Sequence, residues 1–378
     1  MGGKNYLPKL ALEFCPALRH PKDVNAAWNQ QKGVGFALLA AVLFGLSTPL
    51  AKQVSPHVEP ALLAGLLYLS SGIGLGIYSL IQFVRHNRKR REAALKRTDA
   101  PSLGGAILAG GVIAPLLLMW GLTQTPAATT SLLLNLEGVF TALLAWFVFK
   151  ENFDARIAWG MALIATGGIC LSWMGRPAGG VPWGSLAIGA ACLAWAVDNN
   201  LTRKVSAGDP VQIAMLKGLI AGSVNTVLGL ALGSKLPGTS VLSAVGLIGF
   251  FGYGLSLTLF VLALRHIGTA RTGAYFSTAP FVGAAVAVLF FGESFSVGFC
   301  LAATLMGLGV WLHLTERHEH QHRHEPLEHE HLHIHDEHHQ HSHAPGAPSD
   351  EPHSHPHRHE ALTHAHPHYP DIHHRHGH

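Results

Sequence analysis

Residues 127–173 read AATTSLLLNLEGVFTALLAWFVFKENFDARIAWGMALIATGGICLSW, and residues 269–313 read TARTGAYFSTAPFVGAAVAVLFFGESFSVGFCLAATLMGLGVWLH. A shift of 142 positions lays Ala128 on Ala270, Thr130 on Thr272, Ala142 on Ala284, Ala145 on Ala287, Phe149 on Phe291, Glu151 on Glu293, Phe153 on Phe295 and Gly167 on Gly309. The second stretch is a weakened copy of the first. Farther upstream a shift of 151 superposes Ala40 on Ala191, Leu50 on Leu201, Val54 on Val205 and Ser55 on Ser206, so the offset changes by nine near the basic loop Arg85 to Arg97. A duplicated apolar helix bundle is a common architecture for membrane carriers of small solutes. Channels and membrane enzymes with duplicated halves are the competing reading.

The composition agrees. Of 378 residues 48% are hydrophobic and 13% charged, against about 25% charged in soluble proteins. A helix needs roughly 20 apolar residues to cross the hydrocarbon layer. Ten such runs lie near 33–54, 61–84, 102–123, 127–149, 155–174, 183–203, 210–232, 240–264, 270–291 and 296–315. None shows the apolar/polar alternation of a membrane-barrel strand. The fold expected is therefore an all-α membrane protein of ten transmembrane helices in two inverted five-helix repeats, residues 33–174 and 183–315. Residues 1–32 form a cytoplasmic N-terminal segment without the apolar core of a signal peptide. Cys15, Cys170, Cys192 and Cys300 are far apart and suggest neither a disulfide framework nor a Cys-based zinc site.

Lys and Arg in short loops mark the cytoplasmic side. With the N-terminus inside, the inner loops hold Arg85, Arg88, Lys89, Arg90, Arg91, Lys96, Arg97, Lys150, Arg156, Arg203, Lys204, Arg265 and Arg271, and the outer loops only Lys52, Arg176 and Lys235. Both termini are thus expected in the cytoplasm, in a bacterial inner (plasma) membrane. Five helices per copy is an odd number, so the second copy enters the membrane upside down. The sign change of the loops fits: Lys150 matches Gly292, and Lys52 matches Arg203 beside Lys204.

The segment Leu134-Asn135-Leu136-Glu137-Gly138-Val139-Phe140-Thr141-Ala142-Leu143-Leu144-Ala145-Trp146, followed by Glu151, resembles the EamA-type signature of the drug/metabolite transporter superfamily, as does Ala279-Pro280-Phe281-Val282 through Phe291-Gly292-Glu293. The resemblance covers about residues 33 to 315. It implies ten helices in two inverted repeats and export or exchange of small solutes driven by an ion gradient, without naming a substrate. Gly138 departs from the pattern, which usually has proline there, whereas Pro280 keeps it. Helix 4 is therefore expected to be less kinked than helix 9.

Charges in the apolar runs mark candidate sites, because a buried charge costs several kcal/mol unless paired or protonated. Glu137 lies mid-helix among leucines and is the leading candidate for proton coupling or substrate binding, with Asn135 near it; the alternative is a satisfied structural acid. Asp198 and Lys217 fall at comparable depth in neighbouring helices and suggest a salt bridge, either a structural clamp or part of a cavity lining. Trp195, Asn199 and Asn200 share that stretch, and Trp120 and Tyr275 are further cavity candidates. His57 and His266, near helix ends, read as interfacial residues.

Beyond Thr315 the composition changes, with 23 of the 28 histidines in residues 318–378. The segment 316–378 buries no core and is expected to be disordered. Its metal-ligand candidates are His318, His320, His322, His324, His329, His331, His333, His335, His338, His339, His341, His343, His353, His355, His357 and His359. Imidazole and carboxylate without thiolate suit divalent nickel, cobalt, zinc or copper and argue against a selective Cu(I) site. Metal capture coupled to efflux, a pH-responsive regulator and an incidental tail on a metabolite or amino-acid exporter are the readings this composition leaves open.

No HExxH, G-x-S-x-G, P-loop or dinucleotide fingerprint occurs, so an enzyme is not expected and no cofactor is required. Nucleic-acid binding is set aside because the basic residues follow the inner loops. A membrane-anchored metal-storage or metal-sensing protein is the alternative from another class. The partners expected are lipid, a small-molecule or metal-ion substrate and a coupling proton, and the assembly is compatible with a homodimer.

Overall fold

A computed structural model describes residues 21–85, 95–149, 155–174, 180–205 and 208–315, together with four short strands between residues 319 and 367. In chain order the helices are α1 (Gln31–His57), α2 (Pro60–Arg85), α3 (Arg97–Gln124), α4 (Ala127–Val148), α5 (Ala155–Trp173), α6 (Trp183–Val205), α7 (Pro210–Ala231), α8 (Thr239–Leu264), α9 (Thr272–Phe291) and α10 (Val297–Leu314). Among the described residues nine of these, all but α6, are long and apolar enough to cross a membrane. The chain is an integral membrane protein. Helix α6 has 23 residues but carries Asp198, Asn199, Asn200, Arg203 and Lys204 in its second half. Its polarity is tolerated because Asp198 and Asn200 are buried on the side that packs within the bundle, where α6 meets α3 and α4.

Such helices are apolar all round, so packing rather than amphipathicity decides which side faces lipid. Large side chains such as Phe147, Leu289 and Phe290 point outward, whereas small ones line the helix contacts. Glycine allows the closest approaches. A carbon added to Gly218 of α7 would lie 2.7 Å from the Cα of Gly72 in α2, and one added to Gly309 of α10 would lie 2.6 Å from the carbonyl oxygen of Gly160 in α5.

The pairing of helices has an internal pattern. Helix α1 packs on α8 and α9, and α6 on α3 and α4; α2 meets α7, α5 meets α10, and α4 meets α9; α2 also meets α8, as α7 meets α3. Advancing every helix number by five, cyclically, returns these principal partners, although the smaller α1–α4 contact has no comparable α6–α9 counterpart. Between α8 and α9 the chain reverses: the rings of Phe260 and Phe276 are 4.9 Å apart, although sixteen residues of straight helix would separate them by about 24 Å.

Two irregularities recur in both halves. Helix α3 widens to π geometry over Ile107–Ile113, and α8 does so over Gly249–Leu255, the same positions after a shift of 142. Helix α4 is interrupted at Leu134 and Asn135, and α9 at Ser277 and Thr278. Both helices are interrupted, although only α9 has a proline beside its break. Pro280 stands in the first turn after the second break. In α4 a side-chain amide does comparable work: Asn135 Nδ2 donates to the Leu132 carbonyl at 3.1 Å, and the Cys192 thiol reaches the Leu133 carbonyl at 3.6 Å. Carbonyls freed by the break are thus satisfied inside the protein, as a lipid environment requires.

In the histidine-rich segment, β1 (Glu319–Arg323) pairs antiparallel with β4 (Thr363–Pro367), and β2 (Leu327–His333) with β3 (His353–His359). Composition alone suggests no fixed structure there. The two-residue repeat of histidine is also the period of a strand, and these four stretches follow it in their backbone.

Candidate functional site

The site forms where the two interruptions meet. Glu137 sits in the first turn of the half-helix Leu136–Phe149 that follows the α4 break, where the aligned peptide dipoles favour negative charge. It is half-buried, and its Oε1 accepts a hydrogen bond from Asn199 Nδ2 of α6 at 2.7 Å. The same Asn199 amide reaches Thr141 Oγ1 at 3.4 Å, one turn farther along α4. Beside Glu137, Gly138 is exposed, and a carbon built on it would find Ser277 Oγ of the α9 break as its nearest atom, at 3.8 Å. Interrupted backbone at membrane depth belongs where it is buried in protein or lines a cavity. Here the two breaks face each other with open space beside an acid.

One residue earlier in α6 the side chain points the other way. Asp198 is buried, and Lys217 Nζ of α7 approaches its two oxygens at 2.6 and 2.7 Å. Thr202 Oγ1 donates to Asp198 Oδ1 at 2.7 Å and lies 3.2 Å from the lysine. The sequence reading of equal depth is what this ion pair requires. Gly110, in the widened turn of α3, has its Cα against the Asp198 carboxylate, which fills the space a side chain would take.

The widened turn leaves carbonyls that side chains from three helices satisfy. The carbonyl of Gly110 accepts from Tyr68 Oη of α2 and from Trp195 Nε1 of α6, both at 2.9 Å. Pro115 has no N–H to offer the carbonyl four residues back. Asn225 Nδ2 of α7 supplies a donor to that Gly111 carbonyl at 3.2 Å and lies 3.4 Å from the Val112 carbonyl. Replacing Asn225 with leucine is expected to leave the Gly111 carbonyl without the donor that Pro115 cannot supply and to cost about 1–3 kcal/mol. A thermal melt in detergent would show it as a lowered midpoint, with the parent chain as reference. An aromatic wall completes the surroundings: Phe44 of α1 lies 6.2 Å from Trp195, 5.9 Å from Tyr253 and 5.4 Å from Phe276, and Tyr253 lies 5.3 Å from Tyr68.

Of the residues singled out in the sequence, Glu137 and Asn199 touch, Asp198 and Lys217 pair, and Trp195 ties α6 to α3. Asn135 does not join them. Its amide turns toward Met306 Sδ of α10, 4.0 Å away, on a different side of α4 from Glu137. Asn200 bonds to Ala196 within its own helix and reaches the Thr141 carbonyl at 3.4 Å. Trp120 is exposed, and Tyr275 packs against the cluster of Ala37, Ala263 and Ile267. Tyr68, Gly110, Thr141, Thr202 and Asn225 were not anticipated. Tyr68 and Asn225 act on backbone carbonyls, which no side-chain pattern advertises.

Among the described residues no three His, Cys, Asp or Glu side chains come together as a metal site. His318, His324, His335, His338, His339, His341 and His343 lie outside the described residues, and the other tail candidates are described in their backbone only.

Comparison with known proteins agrees with this architecture. Residues 31–173 and 182–315 each match the EamA-like transporter family. An uncharacterized transporter of Methanothermobacter thermautotrophicus is 30% identical over 325 residues, 82% of this chain and 93% of that protein. A solved crystal structure superposes with a TM-score of 0.57 at 17% identity, over 74% of this chain and 95% of its own, a likeness of fold alone. With both halves matched separately, and at the boundaries where the helical bundle divides, the chain belongs to the EamA-like transporter family.

Proposed function

We propose that the chain is a secondary transporter that exports small solutes by alternating access, with ten membrane crossings in two inverted five-helix repeats. The cyclic pairing of helices, the matched widened turns and the matched breaks support the repeat reading. The inverted arrangement follows from an odd number of crossings per half, and such carriers hold their cargo between the halves near the midplane. Both termini then lie in the cytoplasm of a bacterial inner membrane.

One observation carries the assignment of the site: Glu137, beside the facing breaks, has an amide as its hydrogen-bond partner, whereas Asp198 is matched by Lys217. The acid is the charge the site has to offer. Its counter-charge during the cycle is a proton or a positively charged group of the cargo. Exchange between these two at one carboxylate would couple proton entry to solute exit.

A divalent transition metal such as nickel or cobalt as cargo is the second reading, favoured by the cytoplasmic histidine tail, which we propose captures such ions, zinc included. A metabolite or amino-acid exporter with a regulatory tail is its rival. Proteoliposomes separate them through uptake of nickel, cobalt, zinc and amino acids, with and without an imposed pH gradient. Glu137→Gln, which keeps the shape and removes the charge, is expected to lower transport roughly a hundredfold or more while the protein stays monodisperse. Unchanged transport would remove Glu137 from the mechanism. Removal of residues 316–378 is expected to leave transport running with an altered metal dependence; complete loss would favour a storage or sensing protein.

A further inference from the structure

Away from the central site, the ends of four helices on one face of the bundle are tied by two charged side chains. Helix α9 ends at Gly292, whose φ of 65° is the left-handed conformation that glycine adopts at least cost. That turn, with the Glu293 N–H returning to the Ala287 carbonyl at 3.2 Å, aims the Glu293 carboxylate at the start of α4. Its Oε1 accepts from the Ala127 N–H at 2.9 Å and its Oε2 from the Ala128 N–H at 2.8 Å. Both are free donors of a helix start, and both belong to the other half of the chain.

Lys52, at the end of α1, meets the opposite pole. Its ammonium donates to the carbonyls of Leu122 and Thr125, the latter at 3.1 Å, where α3 ends. Cationic and anionic side chains thus sit on the matching ends of two successive helices, the favourable arrangement for both dipoles. The connection Thr123–Pro126 is held between them at the floor of a shallow open depression that Lys52, Glu293 and Ser294 also line. Beneath it Leu122, Ala127 and Ala128 are buried, whereas Glu137 and Gly138, one break farther along α4, are not. Under the α3–α4 connection the packing leaves Leu122, Ala127 and Ala128 almost no exposed surface.

We propose that Glu293 and Lys52 form the latch that closes this face, holding the α3–α4 connection against α1 and α9, and that the latch opens when the central site is exposed there. The inference rests on the alternating-access reading. Motion of α3 and α4 away from α1 and α9 would break four hydrogen bonds at one place, all of them to backbone groups. Water can replace those partners at modest cost because the latch lies at the membrane surface. A buried ion pair would not exchange so readily.

The test uses the full chain with Cys15, Cys170, Cys192 and Cys300 replaced by alanine and one thiol introduced by Ser277→Cys, beside the facing breaks. Vesicles of both orientations, distinguished by protease access to residues 316–378, are treated with a membrane-impermeant maleimide. The parent is expected to label slowly from the Lys52 face and faster from the other. Glu293→Ala, and independently Lys52→Met, are expected to raise labelling from the Lys52 face roughly tenfold or more, since each removes charge-assisted bonds to the connection. The second variant serves if the first does not fold. Unchanged labelling from that face in both variants overturns the latch alone, and so does an equal rise from both faces, which is general loosening. Labelling from neither face in any variant overturns the carrier reading with it.

Discussion

Lys217→Met, or Asp198→Asn, is expected to cost about 3–5 kcal/mol of stability, because each leaves one buried partner without its counterpart. In the parent chain Lys217 Nζ lies within 2.7 Å of both Asp198 oxygens, and each side chain is less than a tenth exposed. Without the lysine, the carboxylate keeps one hydroxyl donor, Thr202, and stays buried against Gly110. Without the acid, an ammonium is left among helices. The double variant Asp198→Asn/Lys217→Met buries no charge and is expected to recover most of the loss. The exchanged pair Asp198→Lys/Lys217→Asp recovers less, since the longer side chain then starts from α6, where Gly110 leaves no room. Thermal midpoints of the four proteins in one detergent form the cycle that checks this. Additive losses, with no recovery in the double variant, would show that the two residues do not act as a pair.

Gly218→Leu is the second large effect. The atoms that a carbon at this position meets are Gly72 N and Cα and the Tyr68 carbonyl, all backbone and all within 2.8 Å. Side chains can rotate away from an intruder; a helix backbone cannot. Helices α2 and α7 must therefore separate, carrying Tyr68 away from the Gly110 carbonyl and Lys217 away from Asp198. A loss upward of about 3 kcal/mol is expected, with failure to accumulate as a monodisperse species in detergent. Gly189→Leu is the control, because no atom lies within 4 Å of the place its side chain would start. Equal behaviour of the two variants would contradict close packing of α2 on α7.

Periodicity and duplication carry the helical bundle from the residues alone: the offset of 142 found from matched alanines and phenylalanines is also the spacing of the two widened turns. The Asp198–Lys217 pair was readable because depth along a helix is a linear count of residues. Asn135 was misplaced because closeness in sequence to Glu137 says nothing across a break, where the helical phase is lost. The interruption of α4 carries no proline to announce it. Proline is a visible breaker, whereas an asparagine amide folding back on its own helix looks like any polar residue. The latch and the supports of the widened turn had no visible signature, since their partners are backbone groups that every residue carries.

A wide turn holds one residue more than an α-helical turn needs. Both halves keep it at matching positions, Ile107–Ile113 and Gly249–Leu255. Two separate accidents at the same place are a poor explanation. It belongs to the repeated unit itself, whereas the acid does not: Glu137 of the first half matches Ala279 of the second.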